Sequence, residues 1–185
     1  MEEKVYNALF LCTGNSARSS MAEPLLTTMA KGRFQGFSAG SHPGRTVNPF
    51  ALELVAVTGY PVEQLRSKNW DEFATPAAPH MDFIFTVCDN AAGEVCPYWP
   101  GHPMSAHWGF EDPAAVVGTD DEKRAAFRRI FRQIMTRMNI VLSLLQQVVG
   151  RFAGHARYRR HGVRERCRRN LPGLSGAGTA HALGR

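Results

Sequence analysis

Twelve residues into the chain, a cysteine and an arginine bracket five small residues: Cys12-Thr13-Gly14-Asn15-Ser16-Ala17-Arg18. None of Thr13, Gly14, Asn15, Ser16 or Ala17 is bulky enough to block backbone amides. A row of free N–H groups leading into a helix is a binding site for a tetrahedral oxyanion. The same surroundings favour a thiolate over a thiol, so Cys12 is expected to be a nucleophile with a lowered pKa. Arg18 adds a permanent forked charge suited to two oxyanion oxygens. The bland alternative is an inert cysteine beside a turn, but such a turn has no use for Arg18.

Two further groups carry chemistry. Cys88 and Cys96 enclose the small, polar run Asp89-Asn90-Ala91-Ala92-Gly93-Glu94-Val95, expected to be a flexible loop. Four cysteines (with Cys167 the last) in a chain without a secretory start point to redox or nucleophilic chemistry before structural disulfides. As soft metal ligands, Cys88, Cys96, His102 and His107 have spacings that fit no tight zinc knuckle. Asp112-Pro113 is either a plain turn or a carboxylic acid that protonates a departing oxygen. Its spacing alone leaves both readings open.

These residues need a scaffold. Ala8-Leu9-Phe10-Leu11 reads as a buried parallel strand ending at Cys12, and Ser19 or Ser20 can cap a helix carrying Met21, Leu25 and Met29. Phe34–Ser38 is a second strand. Asn48-Pro49 opens a helix through Thr58, stopped by Gly59, and Ser67 or Asn69 can cap a turn over Trp70–Phe73. Phe83–Val87 is a third strand ending at Cys88, and Met104–Trp108 a fourth. Asp120 or Asp121 starts an amphipathic helix to about Val149. The alternation predicts an α/β fold: a single doubly wound domain, with a four-stranded parallel sheet flanked by helices and ligands at the carboxyl ends of the strands. Cys12 and Cys88 both fall at such ends.

Charge divides the chain. Of 22 Lys and Arg, nine lie in residues 151–185 beside a single acid, Glu165. The first 150 residues carry a net −2 and the remainder +8, so the overall +6 belongs to an Arg/Gly-rich tail. The expected organisation is a catalytic domain over 1–150 and a disordered basic appendage over 151–185. Its few aromatics (Phe152, Tyr158) argue against nucleic acid as a partner. The start Met1-Glu2-Glu3-Lys4 and the broken apolar run Ile140–Val149 argue for a cytoplasmic protein with no membrane span.

The runs LCTGNSARSSMAE around Cys12–Arg18, SAGSHP at Ser38–Pro43, TVCDNAAGEVCP at Thr86–Pro97 and the pair Asp112-Pro113 resemble the low-molecular-weight tyrosine phosphatase superfamily, particularly its arsenate reductase branch. The resemblance extends from about Val5 to about Val141. It implies that Cys12 attacks arsenate held by Thr13, Gly14, Asn15, Ser16, Ala17 and Arg18, with Ser19 steadying the thiolate and Asp112 as general acid. It further implies a disulfide relay from Cys12–Cys88 to Cys88–Cys96, emptied by thioredoxin or a glutathione/glutaredoxin-type thiol. No tightly bound cofactor is expected. In some arsenate reductases the positions of Asn15, Glu23, Ser38 and Asp71 hold a potassium ion, and Pro24 departs from the pattern beside Glu23. Where the family's phosphatases place tyrosines after the Asp-Pro, this chain has Ala114 and Ala115, leaving nothing to stack on a phosphotyrosine ring. A phosphatase remains the alternative enzyme, and an oxyanion- or metal-binding module the non-enzyme alternative.

Overall fold

The computed structural model describes residues 4–93 and 99–169. By internal packing the chain forms two units, Met1–Leu142 and Ser143–Arg185. The fold and site below belong to the first.

Four strands, β1 (Tyr6–Cys12), β2 (Phe34–Gly40), β3 (Phe83–Thr86) and β4 (Met104–His107), form one parallel sheet in the order β2-β1-β3-β4. After β1 the chain steps to one side for β2, then crosses back to place β3 on the other. The carboxyl end of β1 is therefore the point where the winding reverses, and neighbouring connections leave a crevice there. Cys12 is the last residue of β1. In the β1–β3 register Leu11 pairs with Thr86, which sets Cys88 just beyond the same edge.

β1 is buried from Ala8 to Cys12 because helices cover both faces of the sheet. Leu9 and Leu11 join Ala39, Trp70, Phe73, Met81 and Ile84 in one core cluster. Pleating turns Phe10 the other way, where it stacks on Phe85, itself 4.4 Å from Trp108 between ring centroids. Helix α1 (Arg18–Met29) follows β1, and α2 (Pro49–Ala56) follows β2. Asn48 caps α2 by accepting the Phe50 amide, as its position before Pro49 predicts. The turn Trp70–Phe73 is a 3₁₀ helix capped by Asn69.

Three local expectations change. Ser19 and Ser20 do not cap α1: the helix begins at Arg18, Ala17 precedes it with no side-chain cap, and both serines are fully buried inside it. Their hydroxyls are engaged by the Cys12–Arg18 loop instead. Residues Asp89–Gly93 form a short helix, α3, rather than a flexible loop, with Ala91 packed inside. The Ala91 amide finds the Cys88 sulfur at 3.4 Å, satisfying one otherwise orphaned donor of the first turn. Finally, α4 (Asp120–Arg169) does not end near Val149. The helix runs on through residues 151–169, with no proline between Asp120 and Pro172 to stop it. The part of the tail from 170 to 185 lies outside the described residues.

Candidate active site

The loop between β1 and α1 is wound around the Cys12 sulfur. The Asn15 amide donates to Cys12 Sγ at 3.1 Å, and Ser19 Oγ lies 2.9 Å from the same sulfur. Asn15 makes this winding possible by adopting φ +42°, a left-handed conformation that asparagine tolerates better than most residues. Its side chain fixes the turn from within, donating from Nδ2 to Ser19 Oγ at 2.9 Å and accepting the Lys68 amide on Oδ1 at 2.8 Å. Ser20 Oγ donates to the Asn15 carbonyl at 2.9 Å. With Asn15 donating to its oxygen, the Ser19 hydroxyl is left to direct its own proton at Cys12. The loop is also pressed against β2: a Cβ at Gly40 would lie 2.4 Å from the Thr13 carbonyl oxygen. Only glycine permits that approach.

Burial pushes the Cys12 thiol above its ordinary pKa, and the neighbouring Cys88 adds to the rise. The Ser19 hydroxyl and the amides of Ser19 and Asn15 pull in the opposite direction. The lowered pKa expected from sequence is therefore not met in the free protein, because the fold takes the sulfur almost completely out of water. Loss of hydration outweighs three donors.

Arg18 faces the loop from the first turn of α1. Its guanidinium donates to the Phe110 carbonyl at 3.1 Å and to Asp112 Oδ2 at 2.9 Å. Asp112, about 100 positions distant in sequence, is thus brought to the rim of the Cys12 loop. Its Oδ1 accepts the Ala114 amide at 3.1 Å, so the carboxyl group is held at both oxygens. Arg18 Nε is the one buried side-chain nitrogen or oxygen, among the described residues, without a hydrogen-bond partner. A buried donor left in that condition costs free energy unless something accepts from it. Ala114 and Ala115 are exposed at the rim, where they offer no aromatic surface.

Cys88 is buried and unbridged, like Cys12, and its sulfur lies 3.8 Å from the Thr13 hydroxyl. The two thiols thus share the Cys12–Arg18 loop as a common neighbour. Beyond Cys88, His107 at the end of β4 spans Thr86 Oγ1 and Asp89 Oδ1, tying β4 to the start of α3. Cys96 lies outside the described residues.

The four positions expected to hold potassium differ in burial. Asn15, Glu23 and Ser38 lie beneath the loop, whereas Asp71 is exposed on the 3₁₀ turn. Glu23 accepts Ser38 Oγ at 2.6 Å, Tyr60 OH at 3.0 Å and Lys68 Nζ at 3.2 Å, the ion pair having only 7% of each side chain exposed. Burial and the Glu23 charge push the Tyr60 phenol far up, so it acts as a neutral donor. A carboxylate already paired with an ammonium is a poor site for a second cation, and the residues present do not fit potassium. Neither Lys68 nor Tyr60 is singled out by the sequence. They come from a segment 45 to 53 residues away from the loop and carry no local motif.

The site thus combines a buried cysteine at the switch point of a doubly wound sheet, the amides of Asn15 and Ser19 turned to its sulfur, and an arginine beside the loop. The model of the low molecular weight phosphotyrosine protein phosphatase family matches residues 7–151, and the chain belongs to that family. An arsenate reductase of Halalkalibacterium halodurans is 39% identical over 129 residues, which are 70% of this chain and 89% of the relative. The solved arsenate reductase of Archaeoglobus fulgidus is 28% identical with a TM-score of 0.56, covering 74% of this chain and 98% of that one. At the level of fold alone, the thioredoxin-dependent arsenate reductase of Corynebacterium glutamicum superposes with a TM-score of 0.57 at 24% identity, over 80% of this chain and 65% of that one.

Proposed function

We propose that the protein reduces arsenate to arsenite by thiol chemistry, with Cys12 as nucleophile and Cys88 as the second thiol. The observation that carries this reading is the second buried, unbridged cysteine beside the oxyanion loop. Hydrolysis of a cysteinyl ester needs only water, whereas a two-electron reduction needs a thiol that can reach the first. The relatives named arsenate reductase support the choice of oxyanion.

Arsenate enters the loop, where the amides of residues 13–17 and Arg18 accept its charge, Arg18 Nε among the donors. Its arrival brings no water to the sulfur but adds hydrogen-bond acceptors to the loop donors. A proton must therefore leave Cys12 toward a basic arsenate oxygen as the sulfur attacks arsenic. Ser19 holds the developing thiolate. Asp112, which is open to solvent, passes a proton from water to the departing oxygen, which leaves as water. Cys88 then loses its thiol proton to an arsenic-bound oxygen and attacks the Cys12 sulfur. The sulfur–arsenic bond breaks with its electron pair on arsenic, arsenite departs, and a Cys12–Cys88 disulfide remains. Attack by Cys96 on Cys88 releases Cys12 and moves the bridge to Cys88–Cys96, from which an external dithiol of the thioredoxin type, or a glutathione/glutaredoxin system, removes it. A relay of this kind needs a reducing compartment such as the cytoplasm. No helix among the described residues is long and apolar enough to cross a membrane.

The test is a single turnover without recycling thiol. Fully reduced protein is mixed with excess arsenate, quenched in acid with an alkylating agent and mapped by mass spectrometry. One arsenite per protein, a Cys88–Cys96 bridge and alkylated Cys12 is the expected result. A bridge stopped at Cys12–Cys88 assigns Cys96 elsewhere. If no disulfide forms, and p-nitrophenyl phosphate hydrolysis survives Cys88→Ser, the protein is a phosphatase.

A further inference from the structure

Glu23 is a carboxylate held 5% exposed beneath the oxyanion loop, and a buried carboxylate requires compensation by a cation or by several donors. Ser38 and Tyr60 supply two neutral donors, and Lys68 supplies the charge. The ammonium also donates to the Arg66 carbonyl at 3.2 Å. Lys68 differs from a dissolved ion in one respect: it is tied to the site by its own backbone. Its amide donates to Asn15 Oδ1, and its carbonyl accepts the Gly40 amide at 2.9 Å. Asn15 is the strained residue that presents an amide to Cys12 and a side-chain donor to Ser19. Gly40 is the residue against which Thr13 is pressed. One lysine therefore joins the buried carboxylate to both clamps of the loop.

We infer that Lys68 is a built-in cation that positions the oxyanion loop through Asn15, so that the protein works without potassium. Lys68 touches neither sulfur nor substrate and is a positioning residue. The inference rests on the reading of the loop as an arsenate site, but its decisive measurements do not all require turnover. Removal of the ammonium leaves the backbone bonds of residue 68 possible and leaves Glu23 buried with only neutral donors. A small monovalent cation then has a reason to enter, and the loop should become dependent on it.

The experiment uses the full chain, wild type and Lys68→Met, in potassium chloride, ammonium chloride or choline chloride at equal ionic strength. Three quantities are read: arsenate KM and kcat, thermal midpoint, and protection of Cys12 from iodoacetamide by inorganic phosphate. In the wild type, each changes less than about twofold, or less than about a degree, when choline replaces potassium. In Lys68→Met, KM and the phosphate concentration for half-protection rise about tenfold or more in choline, and potassium or ammonium restores most of the loss. A lysine that only fills space would give a variant indifferent to the cation, and that result overturns the inference. So does potassium activation of the wild type by several-fold. If Lys68→Met does not fold, the double variant Glu23→Gln, Lys68→Met removes both charges; it is expected to fold and to ignore potassium, and potassium dependence in it overturns the inference. If no protein reduces arsenate, the proposed function fails alone, and the midpoint and protection data still decide the role of Lys68.

Discussion

Replacing Ser19 by alanine isolates one bond to the Cys12 sulfur. Ser19 and Cys12 are 0% and 2% exposed, so water cannot take the place of the lost hydroxyl without rearrangement. A hydrogen bond to a charged group contributes about 1.5–3 kcal/mol, and each pKa unit corresponds to about 1.4 kcal/mol, so the thiol should rise by about one to two units. The sign is fixed by the chemistry: the hydroxyl, 2.9 Å from the sulfur, stabilises the charged form, and its removal adds to the rise that burial already imposes. Below both pKa values the thiolate fraction falls tenfold per unit, so iodoacetamide should inactivate Ser19→Ala about 10- to 100-fold more slowly near neutral pH. At pH values above both midpoints the two proteins should react at similar rates. The assay is the pH profile of the inactivation rate constant, with labelling of Cys12 verified by mass spectrometry. An unchanged midpoint, or one moved down, would refute the reasoning: burial alone would then govern the sulfur, and Ser19 would serve only Asn15.

Two other perturbations test the parts around that bond. Asp112→Asn should lower kcat for arsenate by about 10²- to 10⁴-fold, the usual contribution of a positioned acid, with KM changed only a few-fold because an amide oxygen can still accept from Arg18. Steady-state kinetics at saturating thiol reductant decide it, and a kcat within threefold of wild type would leave Asp112 as an Arg18 anchor. Gly40→Ala places a Cβ 2.4 Å from the Thr13 oxygen and 2.9 Å from that of Cys12, backbone atoms that cannot swing aside. Overpacking of this kind costs about 1–3 kcal/mol, so calorimetry should show the thermal midpoint several degrees lower, together with a higher arsenate KM.

Much of this protein is local. The apolar run ending at Cys12, the small-residue loop, Asn48-Pro49 and Asn69 each specify their own element, because strand burial, capping and turn chemistry act over a few residues. The parallel, doubly wound sheet followed from the alternation of strand and helix, whereas the strand order β2-β1-β3-β4 emerged only in the structure. Arg18 and Cys12 were legible for the same reason, being six residues apart on one turn. The serines after Arg18 show the limit of local reasoning. As sequence they suit a helix cap, but the loop draws their hydroxyls to Cys12 and Asn15, and a bond inside the site outcompetes one at the helix end.

Only tertiary structure decided the rest, because each case turned on how deeply a group is buried or on what arrives from far along the chain. The Cys12 thiol rises because packing removes its water, a quantity that no spacing contains. Asp112 meets Arg18 because the chain beyond β4 returns over the loop. The cation beneath the loop is an ammonium from residue 68, held there because an extended segment pairs Asn69 with Gly40 at the end of β2. The sequence by itself determined a thiol, a small-residue loop closed by Arg18 and the sheet that carries them. Which charges meet beneath that loop was decided by the path of the chain between the elements, where contacts depend on packing and not on any repeating period.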